Sequence, residues 1–193
     1  MVDTLGLCLA QLLRQNGCSH VVVAAPGGSK LSLAKNLGVA DEYIELSREN
    51  PTAQFEKLKA DEPYGFDIVV EATGSSKILN DAIHYVRRGG KLVVYGVYSD
   101  SDRVTWPPAK ICRLDPPILW SSILTTMHLV GDEITILGSF SETFMFPATI
   151  GYLDTGKVKV DGIVNKTFKL EQWGEVLESM KNKSAIKAAV VFD

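Results

Sequence analysis

The chain has 193 residues, with 20 basic against 23 acidic side chains and a formal charge of −3. That length allows one full domain with some surplus, and the near-balanced charge offers no electrostatic footprint for nucleic acid or an acidic membrane surface. With 46% hydrophobic and 22% charged residues, the composition excludes disorder as the dominant state.

Leu5, Leu7, Leu9, Leu12 and Leu13 predict a helix over residues 5–15, stopped by Asn16 and Gly17. A buried strand over 20–24 follows, then the turn Pro26-Gly27-Gly28, a helix over 30–37 closed by Gly38, and a short strand over 43–45. Further on come a helix over 53–59, a strand over 68–70, a helix over 77–86 and a strand over 92–95. The remaining elements are a strand over 134–137, helices over 146–153 and 170–181, and a last strand over 188–192. Strands of unbroken Val and Ile alternating with helices predict an α/β fold: a doubly wound, Rossmann-like parallel sheet covered on both faces.

The stretch between Ile111 and Gly131 breaks this rhythm, being apolar without a clean period and split by Pro116 and Pro117. Its apolar run after Pro117 is about 13 residues, short of the roughly 20 needed to cross a bilayer, so no membrane partner is expected. Cys8, Cys18 and Cys112 are isolated and odd in number, which spells neither a disulfide framework nor a cysteine zinc cluster. His20, His84 and His128 add no ligand spacing. No basic segment precedes an apolar one at the amino terminus, so a cytoplasmic location is expected.

Doubly wound sheets bind ligands beyond the carboxyl ends of their strands. Four places qualify: Glu71-Ala72-Thr73-Gly74, Gly96-Val97-Tyr98, Gly138-Ser139-Phe140, and the turn from Ala24 to Lys30. Small residues there let a flat cofactor approach the backbone, and Ser29 with Lys30 at a helix start suits a phosphate. Ordinary strand-to-helix turns have the same composition, so the pattern alone leaves both readings open.

The string Asp67-Ile68-Val69-Val70-Glu71-Ala72-Thr73-Gly74, followed by Arg88-Gly89-Gly90-Lys91-Leu92-Val93-Val94-Tyr95-Gly96-Val97, closely resembles the cofactor domain of zinc-dependent medium-chain alcohol and polyol dehydrogenases. The runs from Gly131 to Phe140 and from Tyr152 to Val158 fit the same family, in the manner of its sorbitol and arabinitol dehydrogenases. The resemblance implies a single incomplete NAD(P)-binding domain over 1–193, lacking its first, central strand and the preceding zinc-bearing catalytic domain. On this reading residues 113–130 are a foreign insertion. Removing them joins Lys110-Ile111-Cys112 to Gly131-Asp132-Glu133 and restores the family's wording, as intron sequence translated in frame would allow; a lineage-specific surface loop is the alternative.

Carried over position by position, the resemblance places Gly6 at the third glycine of the dinucleotide fingerprint, with Met1 and Asp3 where the first two belong. It places Ala25 where NAD-linked members carry an acid on the ribose hydroxyls. Alanine there, followed by Ser29 and Lys30, resembles the NADP-linked pattern. Nicotinamide is expected along Tyr95, Gly96, Val97, Thr135 and Leu137, near Thr73 and Gly74, and Lys187 matches a basic pyrophosphate contact. The implied cofactor is NADP, or NAD; the family's zinc has no ligands in this chain. The implied function is oxidation of an alcohol or polyol, with this chain as the cofactor-binding half, inactive alone. The alternative is a noncatalytic module that binds a nucleotide or pairs with a full-length dehydrogenase subunit. Expected partners are the dinucleotide and either a second copy or a full-length subunit. Without the central strand, the strands near His20 and Ile68 are expected to show open edges, enough to leave the isolated chain molten and unable to bind NADP measurably.

Overall fold

A computed structural model describes residues 4–111, 131–139 and 144–192. The elements in chain order are α1 (Thr4–Gln15), β1 (Val22–Pro26), α2 (Ser29–Leu37), β2 (Glu42–Leu46), α3 (Thr52–Asp61), β3 (Phe66–Glu71), α4 (Ser76–Ala82), β4 (Val86–Val94), β5 (Thr135–Gly138), α5 (Phe146–Asp154), β6 (Val164–Phe168), α6 (Trp173–Lys181) and β7 (Lys187–Val190). They belong to two compact units, Met1–Gln54 with Glu142–Asp193, and Phe55–Ser141. Every strand pairing is parallel, giving an α/β fold with a Rossmann-like arrangement.

In the first unit β1 pairs with β2 in register from Val22 opposite Glu42 to Pro26 opposite Leu46. Val21, Val23 and Ala25 alternate onto one face, as period 2 requires, and join Leu7 and Ala10 of α1 and Leu31 and Ala34 of α2 in one buried cluster. Helix α2 ends at Gly38 in the left-handed conformation, whose N–H donates to Lys35, as a glycine C-cap does. Buried Gln11 ties α1 to a later segment. Its Nε2 donates to the Lys159 carbonyl at 3.0 Å, and its Oε1 accepts the Lys159 N–H at 2.8 Å. Strands β6 and β7 form a second parallel pair.

In the second unit the strand order is β3-β4-β5. Leu92, Ile134 and Val86 close a core against Leu79, Ala82 and Ile83. Among the described residues β1 is paired only with β2, and β3 only with β4. The open edges expected beside these two strands are therefore present among the described residues, while each unit buries an apolar cluster of its own, which argues for a folded chain over a molten one.

Several boundaries differ from the sequence expectation. The first strand begins at Val22 rather than His20, because the Val21 N–H is taken by the Asp41 carboxylate at 2.9 Å. The helix expected over 77–86 ends at Ala82, passes through a 3-10 turn at Ile83–Tyr85, and yields Val86 to β4; β-branched Val86 gains burial in the core there. Strand β4 therefore starts well before 92, with a bulge: Phe66 pairs with Val86 but Ile68 pairs with Lys91, and Gly89 takes φ 68°. The helix expected over 170–181 is a 3-10 turn at Leu170–Gln172 followed by α6. Strand β6, sequence Val-Asn-Lys-Thr-Phe, sets three polar residues between Val164 and Phe168 and so has no apolar run to mark it. On the sheet of the second unit Ile68 is 36% and Leu137 43% exposed among the described residues. Residues 113–130, Met1, Asp3, Cys112, His128 and Phe140 lie outside the described residues.

Candidate functional site

Parallel pairing puts the ends of β3, β4 and β5 on one side of the second unit, and two tight turns meet there. Glu71 closes β3 with 2% of its surface exposed. Its backbone carbonyl accepts the N–H groups of Tyr95 and Gly96, both at 2.9 Å. Its carboxylate accepts the Thr73 N–H at 2.7 Å, the Gly74 N–H at 3.3 Å, and the hydroxyls of Thr73 and Tyr98. The Thr73 hydroxyl oxygen accepts the Ser75 N–H at 3.0 Å, and Ser75 caps α4 by accepting from the Ile78 N–H.

The glycines of these turns are sterically required. Gly74 has φ +71°, and a Cβ on it would lie 2.4 Å from the Val97 carbonyl oxygen. A Cβ on Gly96 would lie 2.4 Å from the Gly74 nitrogen and 2.6 Å from the Glu71 carboxylate. The structure thus brings Thr73, Gly74, Tyr95, Gly96 and Val97 together, with Val97 88% exposed. Thr135 and Leu137 sit on the exposed face of β5, opposite Lys91 and Val93 respectively.

In the first unit the turn between β1 and α2 holds the other expected group. Ser29 opens α2 and is exposed, with Lys30 next to it. Ala25 is 2% exposed, its methyl group in the core cluster. Arg48, beyond the end of β2, donates to the Gly27 carbonyl at 2.9 Å. Glu45 reaches the same turn, since a Cβ on Gly27 would collide with its carboxylate. The charged side chains that meet this turn in the structure are thus Arg48 and Glu45. Gly6 lies in the first turn of α1, and Lys187 opens β7, exposed. Glu71, Tyr98 and Arg48 carry site geometry that sequence reasoning did not assign. Glu71 and Tyr98 had a signal in their places at strand ends, whereas Arg48 reaches Gly27 only through the tertiary fold.

Among the described residues no group of three or more His, Cys, Asp and Glu could hold a metal ion. Cys8 and Cys18 are free thiols, and burial pushes the Cys8 thiol above its ordinary value. These residues do not fit a zinc site. No helix among the described residues is long and apolar enough to cross a membrane. A cavity of about 230 Å³ opens at the opposite, amino ends of β3 and β4, where Lys59, His84, Lys110 and Asp132 contribute to its lining. Burial, then Lys110 and Lys59, hold the His84 imidazole below its usual value.

Comparison with known proteins agrees with this geometry. The chain is 45% identical over 185 residues to D-arabinitol dehydrogenase 1 of Uromyces fabae, covering 96% of this chain and 48% of that protein. It is 26% identical over 189 residues to the sorbitol dehydrogenase of Homo sapiens, covering 98% of this chain and 47% of the relative. The fold is shared with the crystal structure of 2R,3R-butanediol dehydrogenase from Bacillus subtilis, with a TM-score of 0.73 and 19% identity over 99% of this chain and 49% of that one. The chain spans about half the length of the curated relatives it matches. Residues 4–153 match the family described as zinc-binding dehydrogenase, so this chain, a Rossmann-like domain with parallel strands, belongs to the zinc-binding dehydrogenase family.

Proposed function

We propose that the chain is the dinucleotide-binding half of an NADP-linked polyol dehydrogenase, and that it turns over only together with a second half that supplies the zinc and the substrate pocket. The observation that carries this reading is the pair of interlocked turns at the carboxyl ends of β3 and β4, in a chain of this family. Neutral backbone, small residues and exposed Val97 make a surface for a flat ring, and the turn at Gly27, Ser29, Lys30 and Arg48 makes one for a phosphate. In such an enzyme the dinucleotide accepts hydride from the alcohol; the residues of this chain bind and orient it. Thr73, Gly74, Tyr95, Gly96, Val97, Thr135 and Leu137 are assigned to the nicotinamide end. Ala25, Ser29 and Lys30 are assigned to the adenosine end, with Gly6 and Lys187 toward the pyrophosphate. NADP is favoured over NAD because position 25 offers no carboxylate, while Lys30 follows in the first turn of α2 and the Arg48 guanidinium meets the turn at Gly27.

Pairing with a further polypeptide surface is supported by the first unit. Leu170, Trp173, Leu177 and Met180 recur at helical spacing and are 54%, 53%, 45% and 51% exposed, while Val176 and Ser179 are the buried residues of α6. A stripe of this kind suits an interaction surface, and the half of the relatives that this chain does not span is the partner proposed for it. The same surface would serve a noncatalytic subunit that pairs with a complete dehydrogenase.

The test is to join the chain behind the first half of the Uromyces fabae D-arabinitol dehydrogenase and measure D-arabinitol oxidation. NADP-dependent turnover supports the proposal. A folded hybrid that binds neither dinucleotide overturns it. In the active hybrid Arg48→Ala is expected to raise the KM for NADP by about fivefold to tenfold and leave that for NAD unchanged.

A further inference from the structure

We infer that Glu71 is a positioning residue: its carboxylate fixes the Thr73-Gly74 turn against the Gly96-Val97 turn and so sets the surface that meets the nicotinamide end of the dinucleotide. The inference rests on the dinucleotide-binding reading proposed above.

A carboxylate with 2% exposure persists only where its lone pairs are met, because desolvating the charge is costly. At Glu71 each oxygen accepts two donors. Oε1 takes the Thr73 N–H and the Thr73 hydroxyl, and Oε2 takes the Gly74 N–H and the Tyr98 hydroxyl. These donors belong to the two turns rather than to the strands, so the side chain stabilises the relative placement of the turns and adds nothing to the ladder of β3 and β4. The backbone carbonyl of the same residue holds Tyr95 and Gly96 independently.

Steric evidence points the same way. The two backbones touch where Gly96 lies against Gly74, and the notch left by the missing Cβ of Gly96 is occupied by Glu71 Oε2. A neutral amide at position 71 would turn an NH2 toward N–H groups, donor against donor. The Thr73 hydroxyl is committed as well: it donates to Glu71 and accepts from Ser75, which caps α4. One buried carboxylate therefore sets the first turn, the second turn and the start of the following helix, while Val97, at 88% exposure, faces outward from the assembly.

The test is Glu71→Gln in the full 193-residue chain, read in two ways. Site-resolved hydrogen exchange follows the amides of Thr73 and Gly74, which bind the carboxylate, against those of Tyr95 and Gly96, which bind the backbone carbonyl. Titration compares NADP with 2′,5′-ADP, which carries the adenosine end alone. Positioning predicts faster exchange at Thr73 and Gly74 with Tyr95 and Gly96 unchanged, and a Kd for NADP raised about tenfold with that for 2′,5′-ADP unchanged. Unchanged exchange at Thr73 and Gly74, or equal losses for both ligands, overturns the inference. If the wild-type chain binds neither ligand, the dinucleotide reading fails while hydrogen exchange still decides the role of Glu71. Should Glu71→Gln not fold, Tyr98→Phe decides by the same readout. Only Oε2 loses a donor there, so exchange is expected to quicken at Gly74 more than at Thr73, and no change at either contradicts the assignment.

Discussion

The Tyr98 hydroxyl donates to the Glu71 carboxylate, so a phenol on the turn after β4 closes a ring of donors that begins on the turn after β3. The contact is made inside the second unit, with Tyr98 packed against its core. Tyr98→Phe keeps the ring and removes the donor. A hydrogen bond to a charged acceptor contributes about 1.5–3 kcal/mol, and urea unfolding is expected to show a loss at the lower end of that range, with the m-value unchanged. Equal midpoints for variant and wild type would mean that the hydroxyl holds nothing.

Two glycines predict opposite outcomes for the same substitution. Gly96→Ala places a methyl 2.4 Å from the Gly74 nitrogen and 2.8 Å from the Gly74 Cα, backbone that cannot rotate away, so a loss of about 2 kcal/mol or more is expected. Gly151→Ala lies within α5, where nothing stands within 4 Å of the new methyl. There a gain of about 0.5–1 kcal/mol is expected from the lost backbone entropy of glycine. Thermal unfolding of both variants checks the contrast.

Asp41 makes acid stability measurable. The Val21 N–H bound to its carboxylate, helped by Arg14, holds the Asp41 carboxyl below its ordinary value. A folded-state value below the unfolded one, about 3.9, means that the unfolded chain binds the proton more readily. The contribution of Asp41 is therefore full above about pH 4 to 5 and is lost as pH falls through the folded-state value. Asp41→Asn should lower Tm at neutral pH, and the gap from wild type should narrow steadily on acidification. A gap that is constant with pH would show that the charge is not the source.

The flanks of residues 112–130 leave and return at neighbouring points. The Asp132 N–H donates to the Ala109 carbonyl at 3.1 Å, Lys110 Nζ lies 2.5 Å from Asp132, and the Gly89 N–H donates to the Asp132 carbonyl at 2.8 Å. Deleting residues 113–130 is therefore expected to leave the second unit folded, with a Tm equal to or above that of the full chain, because a shorter connection between Ile111 and Gly131 costs less to close. A variant that no longer unfolds cooperatively would show the segment to be part of the fold.

The first and third β-strands of the chain illustrate what the sequence discloses. Ile68, Val69 and Val70 announced β3 because an apolar run with β-branched side chains suits a pleated surface. The ends of elements were less legible, since they depend on partners distant in sequence, as when Asp41 takes the Val21 N–H and shifts β1. The turns at Thr73, Gly74, Gly96 and Val97 were visible as small residues after strands. What joins them was not, because a Glu within an apolar string carries no mark of the four donors that will surround it. Arg48 escaped for the same reason, being twenty-one residues from the carbonyl it meets.

The most direct test of dinucleotide binding is a calorimetric titration of the purified chain with NADP and with NAD at equal ionic strength. The account predicts saturable binding of NADP with a lower Kd than for NAD, and a loss of that difference in Arg48→Ala. A chain that unfolds cooperatively yet binds neither cofactor, or binds both equally, would contradict it.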